Sequence, residues 1–322
     1  MKAAVYYETG NPSVFRYEDV PDPDCGPGDV LIKVAAISIE GGDTLARARG
    51  ALATRPHIVG YQAAGEIVQV GAEVSHLAPG ERVVTIDLHG SHAALRRVPA
   101  RNAWPIPDAL DTRAAAAIPI GFAAAHDGLF EFGRLKSGET VLVQAGASGV
   151  GIAAIQLAHR AGARVLATAS SDDRLDRLMR LQLGLDHGIN YAAEDVARAV
   201  KRLTDGKGAD LVIDPVGGTT LESSIAALAH RGRVSLVGAA GRSPSRVDAG
   251  TLISGSRSLV GVLLAAEIAT DRVHDTIERL IADAAAQRLK VVIDRTFPLA
   301  EAAAAHAHIE SRQAVGRVLL IP

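Results

Sequence analysis

The sequence predicts an α/β protein, a doubly wound parallel sheet joined to a second, β-rich domain. Three observations carry that expectation. In mid-chain, Val141–Gly151 reads as a buried strand, a turn of small residues and the start of a helix. Ahead of it lie short apolar or alternating runs separated by Pro- and Gly-containing turns, the pattern of a compact β domain. Behind it, further apolar runs end in glycine loops, as strands of a parallel sheet do. The expected bounds are 1–120 for the first part of the β-rich domain, 121–262 for the parallel sheet and 263–322 for a return to the first domain.

In the first domain, strands are expected at Ala3–Tyr7, Asp29–Ala36, Ala64–Val70 and Arg82–Asp87, with turns at Pro21–Pro27, Gly41-Gly42 and Pro79-Gly80. Asp111–Phe132 is rich in alanine, the best helix former, and reads as a helix that Pro119 and Gly121 break or bend. Ile152–Arg160 forms the helix behind the small-residue turn, and Ala163–Thr168 a second buried strand, which completes a βαβ unit. Ala209–Asp214 and Gly232–Val237 are the next strands. Ser258–Leu264 either finishes the sheet or forms an edge that a second subunit covers. Arg272–Ala286 has the periodicity of an amphipathic helix, Lys290–Phe297 and Ala314–Ile321 read as strands, and an alanine-rich helix at Leu299–His308 lies between them.

A turn of small residues lets the backbone approach a diphosphate, and the amides opening the next helix favour its charge. Gly146 and Gly151 take the first and third glycine positions of a dinucleotide turn, and Ser148 takes the second. Gly146, Ala147, Ser148, Gly149, Val150 and Gly151 are therefore candidate cofactor contacts. Val216, Gly217, Gly238, Ala239 and Ala240, in loops beyond two later strands, are candidate cofactor walls. The second strand runs into Ala169-Ser170-Ser171-Asp172-Asp173-Arg174. Ala169 leaves empty the place where NAD sites carry an acid, while Ser170, Ser171 and the planar fork of Arg174 suit a phosphate. Asp172 and Asp173 favour NAD if they face the ribose; at the amino end of a helix over Asp173–Leu183 they serve the helix instead. The preferred reading is NADP(H).

Composition bounds the rest. At 322 residues and 48% hydrophobic, the chain can bury two cores, and aromatics at 3% leave alanine, valine and leucine to fill them. A net charge of -2 with mixed signs offers no extended basic face to nucleic acid. Cys25, the single cysteine, excludes an internal disulfide and a zinc site built from several cysteines. The start of the chain does not read as a signal sequence, and no apolar run reaches the roughly twenty residues of a membrane span. A cytoplasmic protein is expected.

Candidate chemistry in the first domain is polar but incomplete. Glu40 precedes Gly41-Gly42-Asp43, and His57 and Tyr61 flank Gly60 ahead of Gln62. His89 and His92 lack a third and fourth ligand nearby and read as solvated turn histidines; His306 and His308 make no metal signature. His126 reads as a residue in or near the cleft or, equally, as a structural one. No metal is expected.

The order of modules resembles the medium-chain dehydrogenase/reductase superfamily, in its zinc-free quinone oxidoreductase or zeta-crystallin-like branch. The resemblance covers almost the whole chain and is carried by Gly60–Val68, Ala145–Gly151, Gly188–Tyr191, Asp214–Gly218 and Gly316–Leu319. It implies a GroES-like catalytic domain made from both chain ends, with a Rossmann domain between them. Zinc alcohol dehydrogenases of the superfamily use a cysteine and a histidine where this chain has Glu40 and Tyr61, and their structural zinc lobe is missing between Ile86 and Pro107. Quinone reductases commonly carry Asn-Pro-x-Asp where Glu40-Gly41-Gly42-Asp43 stands, a glutamate at Gln62 and, in some, an aromatic residue at Leu45. Charge is thereby moved from the position of Gln62 to Glu40. The resemblance further places Arg174 at the extra phosphate of NADPH, Tyr191 near the adenosine ribose, the loops at Gly217-Gly218 and Gly238–Gly241 against the cofactor, and Asp43 and Arg47 around the cleft.

The resemblance implies NADPH-dependent hydride transfer to a quinone without metal; Glu40, Asp43, Tyr61 and Gln62 are then candidates for stabilising or protonating the product oxygen, with Leu45, Arg47 and His126 lining the pocket. An α,β-unsaturated ketone or aldehyde as acceptor is the nearest alternative. A catalytically weak NADPH-binding structural protein is a second. A homodimer is expected, with no nucleic-acid or membrane partner.

Overall fold

The computed structural model describes residues 1–322. Its contacts divide the chain into two units, Met1–Ile120 with Ile268–Pro322, and Gly121–Glu267.

The first unit is built on a seven-stranded sheet ordered Ile293–Pro298, Arg317–Ile321, Asp29–Ser38, Gln62–Val70, Arg82–Ile86 and Ala103–Pro105, with Leu95–Pro99 also pairing Asp29–Ser38. Leu319 lies opposite Ser38 in an antiparallel pair, so the last strand of the chain inserts beside one of the first. Alternation explains the long strand: Val30, Ile32 and Val34 point into one core with Ile67, Val83, Val98, Leu299, Val318 and Leu320. Lys2–Val5 and Arg16–Asp19 form a separate two-stranded ribbon.

Besides the unexpected short strands Arg16–Asp19 and Ala103–Pro105, two features of this unit differ from expectation and bear on the site. The Gly41-Gly42 turn is the start of a nine-residue helix, Gly41–Arg49. Glu40 is its extended N-cap, and the Asp43 carboxylate accepts the Glu40 amide at 2.8 Å, which replaces a missing helical partner. Glycine at 42 serves packing, since a Cβ there would overlap the Tyr61 ring. The second difference is Leu95–Pro99, a strand hidden by Arg96 and Arg97. Arg96 is fully buried, with its guanidinium donating to the carbonyls of Tyr61 (2.8 Å), Thr85 (3.2 Å) and His89 (3.2 Å) and to Thr85 Oγ1 (3.1 Å). Burial pulls its pKa down to about 10, so it stays charged at neutral pH. An arginine buried this way reads as a surface residue in the sequence.

The second unit is a six-stranded parallel sheet. Its order is His187–Asn190, Arg164–Ala169, Thr140–Val143, Ala209–Asp214, Leu228–Leu236, Ser258–Gly261, with every neighbouring pair parallel. In chain order this is 3-2-1-4-5-6, the doubly wound Rossmann arrangement, whose direction reverses between the first and fourth strands. Val212, Leu142, Leu166, Ile189 and Val234 form its core with the apolar faces of the helices Val196–Leu203 and Thr219–Ala226.

The alanine-rich stretch 111–132 is broken earlier than expected. Thr112–Ala116 ends before Ala117-Ile118, and Pro119 then begins a second helix, Pro119–His126, where its missing N–H costs nothing; a π-helical turn at Asp127–Glu131 follows. Gly121 lies inside that second helix without breaking it. Ser258–Leu264 is likewise shorter as a strand, ending at Gly261, with Leu264–Glu267 helical. No helix is long and apolar enough to cross a membrane.

Candidate nucleotide and acceptor sites

The turn after the Thr140–Val143 strand shows why serine occupies the middle glycine position. Ser148 has φ -77° and ψ 167°, an ordinary extended conformation, and caps the Gly149–Arg160 helix by accepting the Gly151 amide on Oγ at 3.0 Å. The left-handed residue of the turn is Ala145, at φ 50°. Gly146 and Gly151 are required by close approach: a Cβ on Gly146 would lie 2.6 Å from Ala167 Cβ, and one on Gly151 would lie 2.7 Å from the Gly146 carbonyl. The first-turn amides of Gly149 and Val150 precede any intrahelical partner and sit at the positive end of a twelve-residue helix. This is a cradle suited to a diphosphate. It lies at the carboxyl end of the strand where the sheet order reverses, the place where such sheets bind ligands.

The neighbouring loops are tied together. Asp214 accepts the amides of Val216 (2.8 Å) and Gly217 (2.9 Å) on one oxygen. Ala240 donates to the Pro215 carbonyl at 3.2 Å and Gly241 to that of Val216 at 2.8 Å, so the Pro215–Gly218 and Gly238–Gly241 loops form one wall. At the end of the second strand Ala169 is buried, and Arg174 Nη1 donates to Ser170 Oγ at 3.0 Å. Ser171 caps a helix over Asp172–Arg180, one residue earlier and shorter than expected. Both acidic residues occupy its first turn, and Asp172 takes a hydrogen bond from Asn190 at 2.9 Å. Tyr191 follows the third strand and is exposed, its amide on the Ala169 carbonyl at 3.1 Å.

In the first unit, Glu40 and Gln62 meet, but as members of a closed network. Arg317, from the last strand, donates to both Glu40 oxygens, through Nη1 at 3.0 Å and through Nη2, and to Ser38 Oγ at 2.8 Å. Gln62 Nε2 also donates to Glu40, and Gln62 Oε1 accepts the Ile120 amide at 3.0 Å. All of these side chains are buried. A carboxylate held by a guanidinium has no call for a cation, so this donor set does not fit the zinc that the alcohol dehydrogenases of the superfamily carry.

The remaining candidates separate clearly. Asp43 is sealed inside with one oxygen on the Glu40 amide; burial holds its pKa well above the usual carboxylate range, partly offset by Arg96 and by the Tyr61 backbone amide. Arg47 is buried with its guanidinium on the Gly10 carbonyl and Glu310. Tyr61 is half-buried, with its pKa raised by burial and by Asp43. Its hydroxyl is the one donor of this group that no hydrogen bond in the chain engages and no packing seals. Leu45 is half-buried on the Gly41–Arg49 helix; His126 belongs to the second unit and packs its ring 4.9 Å from that of Phe130.

His92 is not a solvated turn residue. It is fully buried, and its Nε2 lies 3.0 Å from Nε2 of His306, a contact across 214 residues. Burial and Arg96 push its pKa down to about 3, and burial also drives that of His306 well down. His89 is exposed and its ring faces His57 at 5.7 Å; His308 pairs with Asp294 at 2.8 Å.

A parallel 3-2-1-4-5-6 sheet with a diphosphate cradle, in one chain with a β unit assembled from both termini, is the architecture of the medium-chain dehydrogenases and reductases. The model of the alcohol dehydrogenase GroES-like domain matches residues 26–108, and that of the zinc-binding dehydrogenases matches 149–283. A 2-haloacrylate reductase from a Burkholderia species is 32% identical over 99% of this chain and 98% of its own length. A quinone oxidoreductase of Pseudomonas aeruginosa is 33% identical over 97% of each chain. A mycobacterial protein solved in complex with NADPH superposes over 100% of both chains with a TM-score of 0.93 at 34% identity. The chain belongs to the medium-chain dehydrogenase/reductase superfamily, in its quinone oxidoreductase, zeta-crystallin-like branch.

Proposed function

We propose that the chain is an NADPH-dependent reductase that delivers hydride to a quinone without a metal. The observation that carries this reading is the cradle at Ser148–Gly151 with Ser170 and Arg174 beyond the second strand, where Asp172 is turned to Asn190. Gly149 and Val150 would hold the diphosphate, Ser170 and Arg174 the extra phosphate, and Tyr191 the adenosine ribose; bound NADPH supplies the hydride. Hydride addition turns the quinone into a hydroquinone anion, which takes one proton. The Tyr61 hydroxyl supplies a hydrogen bond to that oxygen as charge develops, and the proton follows from it or from water. Glu40 and Gln62 act by position, since their polar atoms are already engaged.

A second acceptor class is supported by the similarity to the 2-haloacrylate reductase, because a haloacrylate is an activated alkene. Hydride attack on such a bond also leaves an enolate-like oxygen for Tyr61. Steady-state assays of the purified protein, with and without a chelator, against quinones, enones, enals and simple aldehydes test both readings. NADPH oxidation fastest with quinones and insensitive to chelation is expected. Tight NADPH binding without turnover on any acceptor would instead show a cofactor-binding protein that has lost efficient catalysis.

The phosphate contact has its own test. Arg174→Ala is expected to weaken NADPH roughly tenfold or more, the scale of one hydrogen bond to a charged group, and NADH little. Equal loss for both defeats the assignment. We also propose a homodimer and a cytoplasmic location. The dimer is supported by the Ser258–Gly261 strand, which ends the sheet with one edge unpaired, and by Leu263, 67% exposed just beyond it. Sedimentation as a monomer at all concentrations would remove the dimer.

A further inference from the structure

Under the nucleotide cradle runs a buried chain of four polar side chains. The Ala145 amide donates to Thr168 Oγ1 at 3.0 Å, and Thr168 Oγ1 donates to Gln144 Oε1 at 2.8 Å. Gln144 Nε2 donates to Ser224 Oγ at 3.1 Å, and Ser224 Oγ donates to Asp214 Oδ2 at 2.8 Å. The other Asp214 oxygen takes the amides of Val216 and Gly217. None of the four side chains is more than 1% exposed.

The direction of the chain is fixed at both ends. Thr168 must accept from Ala145, so its hydrogen can only go to Gln144; that orients the Gln144 amide, which leaves Ser224 to donate to the carboxylate. Each hydroxyl accepts one bond and donates one, all in one sense, and such chains polarise one another in a medium of low dielectric. The two ends are the two positive-φ turns of the site, Ala145 at 50° and Gly217 at 63°. Ala145 is a non-glycine residue in the left-handed region, and no backbone hydrogen bond links the Ala145–Ser148 turn to the Pro215–Gly218 loop.

We infer that Gln144, Thr168, Ser224 and Asp214 are positioning residues that set the diphosphate turn and the Val216–Gly218 loop as one unit, so that nucleotide affinity depends on side chains that never touch nucleotide. The inference rests on the proposed NADPH reading for its ligand. Its mechanical part, the coupling of two loops, stands on the free protein.

Two measurements test it. In ligand-free protein, Thr168→Val breaks the chain at the diphosphate turn, and several-fold faster amide exchange is expected at Val216 and Gly217, which Thr168 does not contact. Should that variant fail to fold, Ser224→Ala tests the same coupling from the other end, with faster exchange expected at Ala145. In NADPH binding followed by fluorescence, each single variant is expected to weaken affinity about tenfold, as loss of a buried hydrogen bond does, with the double variant close to the weaker single and Thr168→Ser near wild type. Unchanged exchange at the remote amides, or fold-losses that multiply in the double variant, would overturn the coupling. Wild-type protein that does not bind NADPH would sink the proposed cofactor and leave the exchange result to decide the network.

Discussion

The two units differ in how far along the chain the most distant partners of their polar groups lie. Around the nucleotide cradle, many partners are close in sequence: Ser148 caps an amide three residues on, Asp214 holds one three residues on, and Arg174 reaches a serine four residues back. In the first unit, Glu40 meets Arg317 across 277 residues, Arg47 meets Glu310 across 263 and His92 meets His306 across 214. A contact spanning three or four residues follows from the local conformation and belongs to a recognisable turn. A contact spanning hundreds exists only because the last helix, Ala302–Glu310, and the last strand pack back against the first part of the chain. Loss of a contact of the first kind disturbs one turn, while contacts of the second kind hold segments far apart in the chain in one fold.

The largest effect is therefore expected where a buried charge in the first unit loses its partner. Glu40→Ala leaves the Arg317 guanidinium buried without its carboxylate and is expected to destabilise the first unit by about 3–5 kcal/mol in denaturant unfolding. Glu40→Gln with Arg317→Met removes both charges and is expected to cost less than the sum of the two single changes. Additive losses would mean that the pair does not act as a unit, and the contrast between the two regions would then rest on distance alone.

A smaller and pH-dependent effect comes from the paired histidines. Both are neutral in the fold, and each titrates near 6.5 once unfolded. Between pH 6.5 and about 3 the unfolded chain therefore binds more protons, and stability falls as pH falls through that window; above 6.5 the contribution is complete. Each residue adds at most about 1.4 kcal/mol per pH unit. His92→Leu with His306→Leu is expected to flatten the fall in melting temperature between pH 7 and 5. Because only wild type and variant are compared, the opposite pull of the buried Asp43, whose pKa is raised, cancels. An identical slope in both would show that the pair does not sense the pH.

This same division explains what the sequence disclosed. The βαβ unit and the later glycine loops are legible, because periodicity and turn residues encode each element where it stands; periodicity marks the last segment as a strand without showing where it pairs. Tyr61, Gln62, Glu40 and Asp43 are also legible as a polar group. Their roles are not, because a carboxylate looks the same in the sequence whether water or a guanidinium 277 residues away receives it. Arg96 and His92 fail for that reason: each is of a type that usually lies at the surface, and each is buried on partners supplied by other strands or by the chain's last helix. The Gly41–Arg49 helix fails differently. Two adjacent glycines signal a turn, and the countersignal was the spacing of Glu40 and Asp43, a capping arrangement with acids in place of the usual serine or threonine.

The smallest expected effect sharpens the local side of the comparison. Ser148 interrupts the glycine spacing, yet its φ of -77° needs no glycine, and its hydroxyl satisfies an amide that glycine there would leave to water. Ser148→Ala is expected to cost about 1 kcal/mol of stability and Ser148→Gly only a few tenths. Ser148→Gly restores the three-glycine spacing, so a comparison by NADPH titration separates the two properties of the position. With Ser148 acting as a helix cap, glycine and serine bind the nucleotide alike and alanine binds somewhat more weakly. A large gain with glycine would instead mean that the serine side chain crowds the diphosphate, and that the middle glycine of such turns is kept for access to the backbone.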